Sequence, residues 1–282
     1  MREGQPSGTA ERVAAERAAH QLLDSPRLID DPLQLKVIAP ERRDKLLADP
    51  SSHDRSPISK PMRAIVVVRS RIAEDEIARR YREGVDQYVI LGAGLDTFAY
   101  RNPFPNLRVF EVDYPSTQEM KRRRIADAGI ETPASLTYVS IDFANDSLAD
   151  ALARSGFDAG RPAVFAWLGV AMYLEERDVD ATLAFVAGLA PKTSIIFDYA
   201  QPPENLPWLA RIFYRKVLDR LAERGEPWRS FLEPDPLRQK LLAMGFCEVD
   251  DLGADEINAR YLAGRTDGLR SGGVGRIAIA RK

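Results

Sequence analysis

Seven short apolar runs, bounded by turn residues, limit what this chain can fold into. They lie at 87–91, 108–113, 136–141, 163–168, 193–199, 246–252 and 276–280. The first five are near-continuously apolar, the pattern of parallel strands covered by helices on both faces. The stretches between them are long enough for helical crossovers, which predicts an α/β chain with a doubly wound, mostly parallel, seven-stranded sheet. Before the first strand the pattern is helical. Thr9 can cap a helix running to about Leu23, Asp30-Asp31-Pro32 opens a shorter one, and 49–61, rich in proline and serine, reads as a loop. A further helix over 62–83 leads into the first strand. The division expected is an N-terminal helical cap at 1–60 and a main domain at 61–282. An insertion at about 201–245, rich in proline and aromatic residues, is expected to lie over the mouth of the site.

Composition excludes several classes. A chain of 282 residues, 45% hydrophobic and 29% charged, can bury a large core. Its net charge of -2 provides no global attraction to nucleic acid or an anionic membrane. One cysteine, Cys247, and two histidines, His20 and His53, supply neither a disulfide nor a metal cluster. No apolar run approaches the length of a membrane span. A soluble cytoplasmic protein is expected, with no metal, no nucleic acid and no membrane partner; nothing in the sequence sets an oligomeric state.

In an open parallel sheet the ligand lies beyond the carboxyl ends of the strands, and the first strand-to-helix turn approaches it most closely. Gly92 and Gly94 occupy that turn, where the absence of a Cβ permits a sharp bend and close approach. The motif alone fits a structural turn equally well. The second strand ends Glu111-Val112-Asp113, placing acids where nucleotide folds hold ribose hydroxyls. Asp113 is nearer the tip and is the first choice; Glu111 is the second. At the end of the third strand, Asp142-Phe143 can meet an adenine through a carboxylate and a ring, although an Asp there also caps helices. Asp96 suits a ligand ammonium or the following helix amides, and the sequence does not separate the two. The third glycine of a dinucleotide turn is replaced by Thr97, which favours a nucleoside without phosphate. S-adenosylmethionine is such a ligand.

These residues resemble the leucine carboxyl methyltransferase family, and specifically its bacterial branch of polyketide O-methyltransferases. The resemblance is carried by Arg69-Ser70-Arg71, by the block Gln87 to Arg101, by Phe110 to Pro115 and by Trp167 to Leu174, and it covers most of the chain. It implies a Rossmann-like class I methyltransferase fold with S-adenosylmethionine as cofactor. It further implies that Arg69, or Arg71 if the register slips, binds the carboxylate of the methionine moiety. In the same way Gly92 matches a cofactor-contacting glycine, Asp113 the ribose acid, and Asp142 with Phe143 the adenine pair. Where many members carry a glutamate, this chain has Leu168, which removes one polar contact.

The function expected is O-methylation of a small-molecule carboxylate or hydroxyl. The alternatives are a protein carboxyl methyltransferase, a non-catalytic cofactor-binding regulator and a nicotinamide-dependent oxidoreductase. A carboxylate acceptor needs no general base, and no catalytic residue is assigned. Tyr173, Tyr199, Arg260 and Tyr261 are the candidates for lining the acceptor pocket, with ordinary packing as the competing explanation for each.

Overall fold

The computed structural model describes residues 8–142, 146–206, 208–223 and 225–282. Each apolar run is a strand: β1 Gln87–Leu91, β2 Arg108–Asp113, β3 Leu136–Ser140, β4 Val164–Trp167, β5 Ser194–Ala200, β6 Glu248–Leu252 and β7 Gly275–Arg281. They form one sheet in the order β3-β2-β1-β4-β5-β7-β6. β1 to β5 pair in parallel, and β7 runs antiparallel between β5 and β6. From β1 the chain builds outward to β3 on one side and then crosses to β4 on the other. The order therefore reverses between β1 and β4, and a crevice opens beyond their carboxyl ends.

Among the described residues, four helices precede the sheet: α1 Gly8–Leu23, α2 Gln34–Val37, α3 Pro40–Ala48 and α4 Ser59–Arg82. Seven follow β1: α5 Phe98–Arg101, α6 Pro115–Asp127, α7 Leu148–Arg154, α8 Glu176–Ala187, α9 Trp208–Glu223, α10 Pro234–Ala243 and α11 Ala254–Tyr261. Strand alternation sorts the side chains into two cores. Val89, Leu91, Phe110, Phe165, Trp167 and Phe197 pack with α7, α8 and α10. Tyr88, Ile90, Val109, Ala166 and Ile196 pack with α4, α5 and α11. Full burial of each large apolar side chain contributes roughly 1.5–3 kcal/mol, and a one-residue slip would exchange the two faces, so the register is fixed from both sides.

A third, smaller core seats α1 over the turn after β1: Ala14, Ala18 and Ala19 meet Ile38, Leu46 and Leu95. The alanines let the helix backbone come close. Behind them a buried polar cluster joins α1 to α4. Arg63, fully buried, donates through Nε and Nη2 to Asp24 at 2.8 and 3.0 Å and through Nη1 to Asp54 at 2.6 Å. His20 Nε2 accepts the amide of Leu28 at 2.9 Å, which leaves Nδ1 to donate to Asp24 at 2.7 Å.

Two expectations are revised. The 49–61 loop contains a 3-10 turn, Pro50–Arg55, because the Asp49 side chain accepts the amide of Ser52 at 3.1 Å. Within 201–245, α10 is the crossover helix into β6, since its Leu237 and Leu241 belong to the sheet core; the added segment is correspondingly shorter. No helix among the described residues is long and apolar enough to cross a membrane.

Candidate functional site

A cavity of about 440 Å³ lies at the β1/β4 switch point, within the roughly 300–1,000 Å³ span of small-molecule sites. The β1 turn, Asp113, Asp142, the loop after β4, Arg69 of α4, α1 and the 225–229 segment all contribute to its walls.

The floor is the turn at 92–94. Gly92 and Gly94 have φ of +69° and +49°, a region that costs other residues about 1–2 kcal/mol. The space a Cβ would take is filled by the protein itself. At Gly92 it would lie 2.3 Å from Cγ2 of Val170, and at Gly94 3.1 Å from Cβ of Ala10. These glycines thus admit the β4 loop and α1 as cavity walls, which close approach to a ligand alone did not foresee.

Asp113 stands beside this turn, 8% exposed. Its Oδ2 accepts the amide of Gly94 at 2.5 Å and its Oδ1 the amide of Tyr114 at 2.7 Å. Burial pushes its carboxyl up, and the two amide bonds oppose that. A carboxylate offers about four lone-pair sites, so two remain for a pair of neighbouring hydroxyls. Glu111, the second choice, is not at the cavity. It lies under α6, paired with Lys121 at 2.5 Å, its other oxygen without a partner among the described residues. Burial pushes its carboxyl up to about 7 against the pull of Lys121. Alternation put both acids on one side of β2, but α6 covers the inner one.

Asp96 lines the cavity and is already engaged twice: Oδ1 accepts the amide of Phe98 at 2.7 Å and Oδ2 accepts from Arg17 at 2.5 Å. Burial pushes its carboxyl up, but the charges of Arg17, Lys121 and Arg101 outweigh this and hold it at about 2. The helix-amide reading is therefore the one the geometry matches. Arg17 also donates to Asp31 at 2.9 Å, and Asp31 accepts from Thr97 Oγ1 at 2.6 Å. Thr97, which occupies the third-glycine position, thus ties the turn to the cap. Arg17 went unnoticed in the sequence because 79 residues separate it from Asp96.

On the opposite wall Arg69, buried on α4, donates Nη1 to Asp198 at 2.6 Å and lines the cavity. Arg71 points elsewhere, to Asp75 at 2.8 Å and the carbonyl of Leu28, which removes the slipped register. Asp142 also lines the cavity; Phe143 lies outside the described residues. Leu168 presents an apolar wall where the resemblance implied an acid.

The remaining space is enclosed by Thr9, Ala10 and Val13 of α1, by Tyr173 and Leu174, and by Glu226, Pro227 and Arg229. Glu226 accepts from the Thr9 amide at 3.2 Å, from Thr9 Oγ1 at 2.7 Å and from Arg12, stitching α1 to the 225–229 segment. Tyr173 faces this region, its ring edge-on to Trp228. Tyr199, Arg260 and Tyr261 do not line the cavity. Tyr199 is buried in the sheet core with its hydroxyl donated to Asp251; Arg260 is exposed on α11; Tyr261 packs against the α4-side core. No cluster able to hold a metal exists among the described residues.

Buried donors and acceptors around a nucleoside-sized space, with a guanidinium at one end and a carboxylate retaining lone pairs at the other, fit an amino-acid-bearing nucleoside. Comparison with known proteins agrees with that chemistry. Residues 10–187 match the model of the leucine carboxyl methyltransferase family. The chain is 30% identical over 292 residues to "Putative S-adenosyl-L-methionine-dependent methyltransferase YktD" of Bacillus subtilis, covering 95% of each. It is 35% identical over 227 residues to a "Putative S-adenosyl-L-methionine-dependent methyltransferase" of Mycobacterium avium, covering 77% of this chain and 72% of that one. In fold it is similar to a crystal structure from Thermobifida fusca titled "a putative methyltransferase", with TM-score 0.58, 17% identity, and coverage of 100% and 96%. The architecture is the Rossmann-like class I fold, and the chain belongs to the leucine carboxyl methyltransferase family, a family of S-adenosylmethionine-dependent methyltransferases.

Proposed function

We propose that this chain methylates a carboxylate or hydroxyl oxygen of a small-molecule acceptor, using S-adenosylmethionine held in the switch-point cavity. In this reading Arg69 binds the cofactor carboxylate, Asp113 the ribose hydroxyls and Asp142 the adenine, while Gly92 and Gly94 shape the floor. Bound there, the cofactor supplies a methyl group already activated by its sulfonium. The protein then has to orient an acceptor oxygen and exclude water while the positive charge of the sulfonium and the negative charge of a carboxylate acceptor cancel.

The observation that favours the small-molecule reading is the hydrogen-bonded strap between α1 and the 225–229 segment at the far end of the cavity. Thr9 and Arg12 are hydrogen-bonded to Glu226 across it, and Val13, Leu174, Pro227 and the Tyr173 ring make its walls. A small acceptor fits beside such a strap, whereas a protein terminus would have to displace it. The cavity is lined by no histidine, which favours an acceptor ionised on its own, a carboxylate. The strap also supports the division into a helical cap at residues 1–60 and a main domain with an added segment after β5, the two acting together as a lid.

Turnover with S-adenosylmethionine tests this. A panel of small aromatic and aliphatic carboxylic acids and phenols, and peptides with a free carboxyl terminus, are assayed for S-adenosylhomocysteine and methylated product. Methylation of small acids supports the reading; turnover confined to peptides contradicts it. Limited proteolysis with and without S-adenosylhomocysteine tests the lid, and identical cleavage near α1 and the 225–229 segment would count against it.

A further inference from the structure

One carboxylate in the molecule serves both walls of the cavity without touching its space. Asp198 sits in the middle of β5, 3% exposed, and does not line the cavity. Its Oδ2 accepts from Nη1 of Arg69 at 2.6 Å and its Oδ1 accepts from the amide of Gly169 at 2.5 Å. Arg69 belongs to α4 and Gly169 to the loop after β4, so this acid fastens two separate elements in one geometry. Gly169 completes the fit: its φ is +74°, and a Cβ there would lie 2.7 Å from Nη2 and 3.0 Å from Nη1 of Arg69. The guanidinium thus occupies the space that a side chain at 169 would take. Among the described residues its other N–H groups have no protein acceptor, and Arg69 lines the cavity.

We propose that Asp198 is a positioning residue that sets the plane of the Arg69 guanidinium. Arg69 then offers its remaining donors as a fork to the carboxylate of the cofactor's amino-acid end. The inference rests on the cofactor site proposed above. It assigns the site's preference for a carboxylate-bearing nucleoside to a residue that never meets the ligand.

Two physical effects oppose each other here, and they predict opposite outcomes. Charge alone would have Asp198 compete with the ligand for Arg69, so that removing it tightens binding. Orientation has the reverse sign: a bidentate carboxylate contact requires a fixed guanidinium plane, and a loose arginine stem must be ordered when the ligand binds. Asn at 198 is close to isosteric but exchanges one acceptor oxygen for an NH₂. Whichever way the amide faces, either Arg69 or Gly169 loses its acceptor. Because the guanidinium lies against the Gly169 backbone, a shift of either partner moves the fork, and orientation is the effect expected to win.

The experiment is calorimetric binding of two ligands to the intact chain and to its Asp198→Asn variant. S-adenosylhomocysteine carries the carboxylate. S-adenosyl-3-thiopropylamine keeps the nucleoside, the thioether and the amine, but lacks that group. The parent is expected to prefer S-adenosylhomocysteine. Asp198→Asn should weaken S-adenosylhomocysteine by about tenfold or more, the scale of one charged hydrogen bond, while the amine analogue stays within about twofold. Unchanged binding of the analogue shows that the variant is folded with its nucleoside site intact.

S-adenosylhomocysteine binding that is unchanged or tighter in Asp198→Asn overturns the inference, as does an equal loss for both ligands. A parent that binds both ligands equally overturns the Arg69 assignment beneath it, and the inference with it. A discriminating parent with an unaffected Asp198→Asn overturns the inference alone.

Discussion

Replacing Gly92 by alanine tests whether the turn after β1 is shaped by the walls of the cavity. The new Cβ would lie 2.3 Å from Cγ2 of Val170 but 3.5 and 3.6 Å from its Cβ and Cγ1, so one methyl group carries the whole clash. Overpacking of this kind costs about 1–3 kcal/mol, and placing a Cβ at a φ of +69° adds about 1–2 kcal/mol. Gly92→Ala should therefore lose about 2–5 kcal/mol of stability. Val170→Ala removes the offending methyl at a cost near 1 kcal/mol, because Val170 is only partly buried. In the double variant the clash is gone and the backbone strain remains. The pair should thus be less destabilised than the sum of the singles by about 1–3 kcal/mol. Urea denaturation of the four proteins at one pH, with equal slopes, measures this coupling. Additivity within about 0.5 kcal/mol would refute the claim that Val170 occupies the space above the turn.

Arg63→Met leaves Asp24 and Asp54 facing a fully buried site without their cation and should cost about 3–5 kcal/mol in chemical denaturation. A loss below about 1 kcal/mol would show that the cap does not depend on that cluster. Asp96, held at about 2, contributes stability that is present above the ordinary carboxylate range and lost as pH falls toward that value. Acidification from about pH 4 to about pH 2 should consequently destabilise the parent more steeply than Arg17→Met, and parallel profiles would contradict the pairing. Glu111 has the opposite sign. Its carboxyl is raised to about 7, so its contribution is lost as pH rises from the unfolded carboxylate range to that value. Glu111→Gln should flatten the parent's decline over that window, and an unchanged slope would count against a proton on Glu111.

Strands β1, β2, β4 and β5 were legible because each is a short, mostly apolar run in the part of the sheet buried on both faces, as in Val89-Ile90-Leu91 and Val164-Phe165-Ala166-Trp167. That Asp113 would stand at the cavity was legible for a local reason, its place at the tip of β2 beside a glycine turn. What sequence spacing does not carry is which helix covers which strand end. Glu111 and Asp113 share a side of β2, yet α6 lies over only one of them, with Lys121 and Gln118 packed there. Residue type alone does not place Tyr199, Arg260 and Tyr261 relative to the cavity; their surroundings are made by β6, solvent and α4. Arg17, Glu226 and Asp198 were invisible because each acts through a partner far along the chain: Asp96, Thr9 and Arg69. The role of Gly92 was half legible. A turn that needs a positive φ can be read from the motif, whereas the methyl group of Val170 filling its empty side cannot.

The central claim is that the switch-point cavity holds S-adenosylmethionine through Asp113. Calorimetric titration of S-adenosylhomocysteine and of NAD into the parent and into Asp113→Ala tests it most directly. S-adenosylhomocysteine should bind the parent, NAD should not, and Asp113→Ala should lose about tenfold or more as charge-assisted contacts to the ribose disappear. Equal binding of S-adenosylhomocysteine to both proteins, or binding of NAD in its place, would contradict the account.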